Sequence, residues 1–334
     1  MSHVGKFCWL ITLLAALSGM TMNGRAEEHK MPLRLGLGWY LGEATNFYAL
    51  DSGLFEQQGL TISVTRNHAG FQSLKQLMRG ELDIVTVAAT PVVYATMGSF
   101  GSGRPFSIAA SILKSSTLNF VVGAQGAGIH LPEDLRGKKI GIKLKSASEY
   151  LWSLFSRYHE IDVENITFVD LPGSKMPDAM ARGEIDAAVT WAPFHEKTAA
   201  AAPGGGVIFQ PLQIYNANWL VVVDTEFAVG NPQTVTAYLT ALKLAEEVLR
   251  RQPEQVARIQ ATYVQSPAAD LQKLYELAYF DLSLDEGLLL TLSLQGQWAA
   301  KRGYVPMRDV PDFRPRLNPT WLSKVKPGAV TLME

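Results

Sequence analysis

Arg182-Gly183-Glu184-Ile185-Asp186-Ala187-Ala188-Val189-Thr190-Trp191-Ala192-Pro193-Phe194 decides the fold, because its order of residue types occurs earlier in the chain. The earlier copy is Arg79-Gly80-Glu81-Leu82-Asp83-Ile84-Val85-Thr86-Val87, followed by Thr90-Pro91. Both copies follow a run that reads as helix, Ser73 to Arg79 and Pro177 to Arg182. A Gly directly after such a run closes a helix, because Gly takes left-handed backbone angles at little cost. The short β-branched run that comes next reads as a buried strand. Each copy is therefore a helix–Gly–strand unit, followed by a turn and another helix. Two copies about a hundred residues apart imply two similar α/β lobes and not one large sheet. The competing reading is chance, since this joint is common in α/β proteins.

At 334 residues the chain has room for two domains of ordinary size. Hydrophobic residues are 47% and charged residues 18%, which fits a packed chain and not a disordered one. The formal charge is −1 with no basic stripe, so nucleic-acid binding has little electrostatic support. Residues 1–26 read as an export signal, with Lys6 as the positive start, Phe7 to Leu17 as the apolar core and Gly24-Arg25-Ala26 at the cleavage site. That core is too short to span a bilayer. Cleavage near Ala26 is expected, and it removes Cys8, the only Cys. Loss of Lys6 and Arg25 takes the 30 basic residues to 28 against 31 acidic ones, a formal charge of −3. The exported chain is then expected to be a soluble periplasmic protein held by its core, without disulfides.

Leu33 to Leu37 reads as the first strand, and Thr45 as the cap of a helix running to about Asp51. Thr61 to Thr65 is a second strand, and Pro91 opens a helix to about Met97. Phe106 to Ile112, Asn119 to Val122 and Trp219 to Val223 are further extended runs. After them four helices follow: Pro232 to Arg251, Glu254 to Tyr263, Ala268 to Tyr279 and Asp285 to Lys301. The expected layout is a first lobe over 31–113, a second over 114–222, and a helical tail over 223–334 that packs back on the first. Two strand crossings between lobes, near Ser107 to Val122 and Trp219 to Val223, form a hinge.

Four motifs in this order resemble the nitrate/sulfonate/taurine and thiamine-pyrimidine-precursor binding family, the periplasmic substrate-binding proteins of ABC importers. They are Gly53-Leu54-Phe55-Glu56-Gln57-Gln58-Gly59-Leu60, Arg79-Gly80-Glu81-Leu82-Asp83, Asp134-Leu135-Arg136-Gly137-Lys138-Lys139-Ile140-Gly141, and Gly183-Glu184-Ile185-Asp186 with Trp191-Ala192-Pro193-Phe194. The resemblance runs from about Leu33 to Asp224; the tail matches only in being helical. It implies an α/β, two-lobed type II periplasmic-binding fold that closes on a ligand and delivers it to a membrane permease. The sequence departs from the family at Gly70-Phe71-Gln72-Ser73, at Ala192 where Glu is common, and in the opening Gly38-Trp39-Tyr40-Leu41.

Ligands of α/β lobes sit beyond the carboxyl ends of the strands, where helices begin. That rule selects Trp39, Tyr40, Glu43 and Asn46 after the first strand, then Phe71, Gln72 and Ser73. It also selects Thr90, the helix start at Ser146 and Ser148, and Trp191. Helix starts and Ser hydroxyls suit anions; Trp and Tyr give an apolar wall with a polar tip. Lys114 and Lys145 are candidates to complement an anion, and Glu43 a cationic amine. Each also has a plain role in caps, core or solvent. Glu81, Asp83, Glu184 and Asp186 recur in both lobes, which argues for joints and not for acid/base chemistry. His195-Glu196 begins a zinc helix motif, but Ala199 stands where its second His belongs. No Gly-x-Ser-x-Gly elbow occurs. The expectation is thus a monomeric, non-enzymatic binder of a small organic anion or zwitterion, with no cofactor and no metal. Its partners are an inner-membrane ABC permease and no nucleic acid. The alternatives are a binder of a thiamine pyrimidine precursor, a ligand-sensing receptor of the same fold, and an enzyme.

Overall fold

The computed structural model describes residues 30–209, 213 and 215–333. The export signal, its cleavage site and Cys8 lie outside them. Among the described residues no helix is long and apolar enough to cross a membrane.

The chain begins β1 (Met31–Leu37), α1 (Ala44–Asp51), α2 (Leu54–Gln57), β2 (Leu60–Arg66), α3 (Gly70–Met78), β3 (Ile84–Ala88), α4 (Ala89–Thr96) and β4 (Phe106–Ser115). It then builds β5 (Asn119–Ala124), β6 (Lys139–Ile142), α5 (Ala147–Tyr158), β7 (Thr167–Asp170), α6 (Met176–Ala181), β8 (Ala187–Trp191), α7 (Phe194–Ala200) and β9 (Gly206–Phe209). It returns through β10 (Ala217–Asp224) to α8 (Thr225–Gly230), α9 (Pro232–Arg251), α10 (Pro253–Val264) and α11 (Ala268–Tyr275). The chain ends with β11 (Leu284–Asp285), α12 (Glu286–Lys301), α13 (Thr320–Val325) and β12 (Val330–Thr331).

Two five-stranded sheets result, ordered β2-β1-β3-β10-β4 and β7-β6-β8-β5-β9. In each, three parallel strands are joined by one antiparallel strand that has crossed from the other lobe. The two lobes of the sequence reading are these two sheets with their helices. The return crossing comes earlier than expected: all of Ala217–Asp224 pairs with β3 and β4 of the first sheet, so its first residues do not belong to the second lobe. Helices α9, α10, α12 and α13 pack on first-lobe elements, as a helical tail covering that lobe should.

The repeated motif has one job in both lobes. Gly80 and Gly183 take φ of +74° and +66°, ending the helix in the left-handed region that Gly tolerates. Glu81 and Glu184 lie on the surface, paired with the Arg two residues earlier. Asp83 then accepts from the amide of Arg34 at 2.8 Å, and Asp186 from the amide of Lys139 at 2.9 Å. Each Asp amide donates back to the carbonyl of the same residue. The Asp thus ties the start of its own strand to the neighbouring parallel strand. This satisfies backbone groups that a sheet end leaves open.

Strand β8 shows why the second lobe has two small cores. Ala187 and Val189 join the cluster under α5, while Ala188 joins the cluster around Met176 and Met180 of α6. Alternate residues of a strand point to opposite faces, and helices cover both. Helix α1 begins two residues ahead of expectation: Glu43 holds the N-cap position, and the buried Thr45 hydroxyl has no partner among the described residues.

Candidate functional site: a cleft between the lobes

The carboxyl ends of β3 and β8 face each other across the cleft. The antiparallel strands bring their amino ends to the same edges: Trp219 of β10 lies opposite Ala88, and Asn119 of β5 opposite Trp191. Both lobes therefore line one cavity, with Tyr40, Phe71 and Trp219 on one side and Asn119, Lys145 and Trp191 on the other. It leaves about 90 Å³ to the centres of water-sized spheres. Since one water needs roughly 10–15 Å³ by that measure, the space suits a small molecule.

Aromatic rings make most of the wall. The Tyr40 ring meets Trp219 edge-on at 5.1 Å and Trp191 edge-on at 5.7 Å. The second contact joins the two lobes. The Tyr40 hydroxyl donates to the carbonyl of His68 at 2.5 Å, which leaves the ring edge for the cleft. Gly42 admits the Trp219 indole, because a Cβ there would stand 2.6 Å from it. The Lys143 ammonium of the second lobe lies 5.5 Å from the Phe71 ring and bonds Asp170 at 2.8 Å.

Glu43 lies behind this wall, wholly buried. Its carboxylate accepts from the Gly38 amide at 3.0 Å and from Asn46 Nδ2 at 3.0 Å. Thr86 Oγ1 at 2.6 Å and Trp219 Nε1 at 3.3 Å complete the set. Burial pushes its pKa up to about 7, against these four donors, which hold it down. Glu43 therefore fixes the indole that forms the wall and does not reach the cavity.

Polar groups gather on the second-lobe side. Ser146 caps α5: its Oγ accepts from the Ser148 amide at 3.2 Å and donates to the Lys143 carbonyl at 2.6 Å. Among the described residues the amides of Ser146 and Ala147 meet no protein acceptor. Lys145 is exposed and forms no ion pair within the described residues. Asn119 is 7% exposed, and its carboxamide makes no hydrogen bond to a described residue. The Trp191 indole N–H is likewise buried without an acceptor among them. Asn218 is already engaged, by the Asn216 carbonyl and the Ser111 hydroxyl.

Of the residues selected from the sequence, Tyr40, Ser146 and Trp191 line the cavity, as do Phe71 and Lys145. The others are set back. Trp39 lies under the Arg66 guanidinium, 4.4 Å from its ring centre, and faces a neighbouring groove. Asn46 links Glu43 to the Tyr238 hydroxyl. Gln72 is exposed and accepts from the Ala69 amide, while the buried Ser73 accepts from Asn67. Thr90 and Ser148 are fully buried in α4 and α5. Lys114 pairs with Asp285 away from the cleft. Sequence reasoning passed over Asn119, Asn218 and Trp219. Their signal was a polar or Trp residue at the amino end of an otherwise apolar strand.

Beside the cavity the lobes touch elsewhere. Tyr94 of α4 donates its hydroxyl to Glu149 of α5 at 3.2 Å. The Lys197 ammonium donates to the Gln265 carbonyl at 3.0 Å, and Tyr150 meets Trp298 edge-on at 5.2 Å. The structure is thus one with the lobes together. Among the described residues no group of three or more His, Cys, Asp and Glu is placed to hold a metal ion. His195 stacks on Phe120 at 3.8 Å, and burial lowers its pKa to about 4. It is a core residue.

Residues 43–256 match the family described as NMT1/THI5 like. The chain is 23% identical over 261 residues to the taurine-binding periplasmic protein of Escherichia coli, covering 74% of this chain and 77% of that one. The fold is similar to that of the alkanesulfonate-binding protein of Xanthomonas axonopodis pv. citri bound to MOPS. The TM-score is 0.74 at 17% identity, over 86% of this chain and 98% of the other. It is also similar to the periplasmic nitrate-binding protein of Synechocystis, with a TM-score of 0.72 at 12% identity over 90% and 89% of the two chains.

Proposed function

The chain belongs to the NMT1/THI5-like family, and on that premise we propose that it is a periplasmic solute-binding protein. In this reading it captures a small organic anion between its lobes and delivers it to the permease of an ABC importer. The observation that carries the proposal is a cavity lined from both lobes, where unpartnered donors of the second lobe face aromatic rings of the first. The names of its relatives, which bind taurine, an alkanesulfonate and nitrate, support the same reading.

The mechanism follows from geometry. A ligand on the first-lobe wall gains the Asn119 carboxamide, the α5 amides and Trp191 only when the lobes meet. It favours the closed state by that difference alone. Tyr40, Ser146 and Trp191 act as ligand contacts, joined by Phe71, Asn119, Lys145 and Trp219. Binding involves no chemical step and no cofactor, and one polypeptide contains the whole site.

A thermal-shift screen of small anions tests this. A ligand at 100 times its dissociation constant adds about 2.7 kcal/mol of stability. Scattering in solution should show the protein compacting with any compound that gives such a shift. A panel of sulfonates, carboxylates and nitrate without a single shift rejects the proposal.

A further inference from the structure

We propose that the ligand is an aromatic monoanion: a planar ring bearing one carboxylate or sulfonate and no ammonium group. This rests on the reading of the cleft as the ligand site and narrows what that site takes.

Three observations converge. First, the body of the cavity is apolar. Four rings, those of Tyr40, Phe71, Trp191 and Trp219, line it together with Leu113 and Leu118. Such a wall rewards a ligand with carbon surface and a π-face. Nitrate offers neither, so most of this wall would go unused.

Second, the free polar groups are on one side and are donors. They are the Lys145 ammonium and the Ser146 and Ala147 amides at the start of the 12-residue α5. The Asn119 carboxamide, more than nine-tenths buried and unpartnered among the described residues, adds an independent polar contact in the cavity. A helix start with free amides and a nearby cation holds one anionic head.

Third, among the described residues no Asp or Glu lines the cavity. Glu43 is reached only through Trp219, and its oxygens accept from four donors. Glu149 turns its carboxylate to the Lys145 amide and the Tyr94 hydroxyl. An ammonium group brought into the cavity loses its water without meeting a carboxylate, which is costly. A zwitterion, one of the two ligand classes the sequence left open, is therefore disfavoured.

Isothermal titration of the purified protein with benzenesulfonate, benzoate, ethanesulfonate, taurine and nitrate tests the proposal. At least one of the first two should bind tenfold or more tightly than the other three. The ratio between benzenesulfonate and benzoate tells the two head groups apart. Taurine, ethanesulfonate or nitrate binding as tightly as the aromatic anions overturns this proposal and leaves the solute-binding reading standing. No binding by any of the five overturns the proposal, and further small anions then decide the broader reading. Lys145→Gln should weaken the better aromatic anion about fivefold with an unchanged unfolding midpoint. Equal affinity in that variant overturns the placement of the head group.

Discussion

Glu43→Gln makes the stability of the first lobe less dependent on pH. Glu43 is wholly buried, and burial raises its pKa from 4.5 to about 7. An acid with a raised folded-state pKa keeps its proton in the native state while the unfolded chain has lost it. Folding is unaffected by this group below 4.5, and it loses stability as pH rises from there through 7. The full loss is about 3 kcal/mol, of which about 2.5 kcal/mol falls between about pH 5 and pH 8. Against a domain stability of roughly 5–15 kcal/mol, that is readily measured. Gln also sets an amide against Asn46 Nδ2, now 3.0 Å from a carboxylate oxygen, and this cost does not vary with pH. The diagnostic is therefore the slope and not the absolute stability. Urea unfolding of both proteins across this range should show the wild type losing ground to the variant by about 2.5 kcal/mol on going to the higher pH. Other titrating groups cancel in that difference. Parallel curves would mean that the carboxylate is charged at no net cost, and the burial argument would be refuted.

Three further outcomes are expected. Trp191→Ala should weaken binding of the ligand by about 2 kcal/mol, the scale of a buried aromatic anchor; unchanged calorimetric affinity removes it from the site. Tyr94→Phe deletes a hydrogen bond that exists only with the lobes together and should reduce affinity by about 1 kcal/mol; an unaltered dissociation constant argues that closure does not use it. Lys326→Met takes from the buried Glu246 a partner at 2.9 Å, leaving the exposed Arg250 as its counter-charge. A loss of about 3 kcal/mol in urea unfolding is expected, and a fully stable variant contradicts it.

The lobes were legible because their signal is local. Gly80 and Gly183 mark helix ends by their own backbone needs, and the same short pattern carries Asp83 and Asp186, each of which binds the neighbouring strand of its own lobe. The candidate site was legible in part. Tyr40, Ser146 and Trp191 lie where parallel strands end and helices start. Glu43, Asn46 and Ser73 stand at the starts of α1 and α3, as the rule requires, but turn inward, and a single helical turn is too short for periodicity to show which face is buried. Asn119 and Trp219 were missed for a different reason. The rule that sites lie at strand carboxyl ends assumes parallel strands, and β5 and β10 run the other way. Their amino ends form the same edge, so the rule must be inverted for any strand that crosses between lobes.

The place of β10 in the first sheet has a consequence for synthesis. It sits between β3 and β4, and both of these pair with it. A growing chain that has made all of the second lobe still carries an unfinished first sheet, with two open strand edges, until Asp224 has emerged. Early lobe-by-lobe folding is thus denied to the amino-terminal part by its own topology. The amino-terminal part of the first lobe therefore waits with unpaired strand edges while the second lobe, whose strands are contiguous in sequence, is already complete.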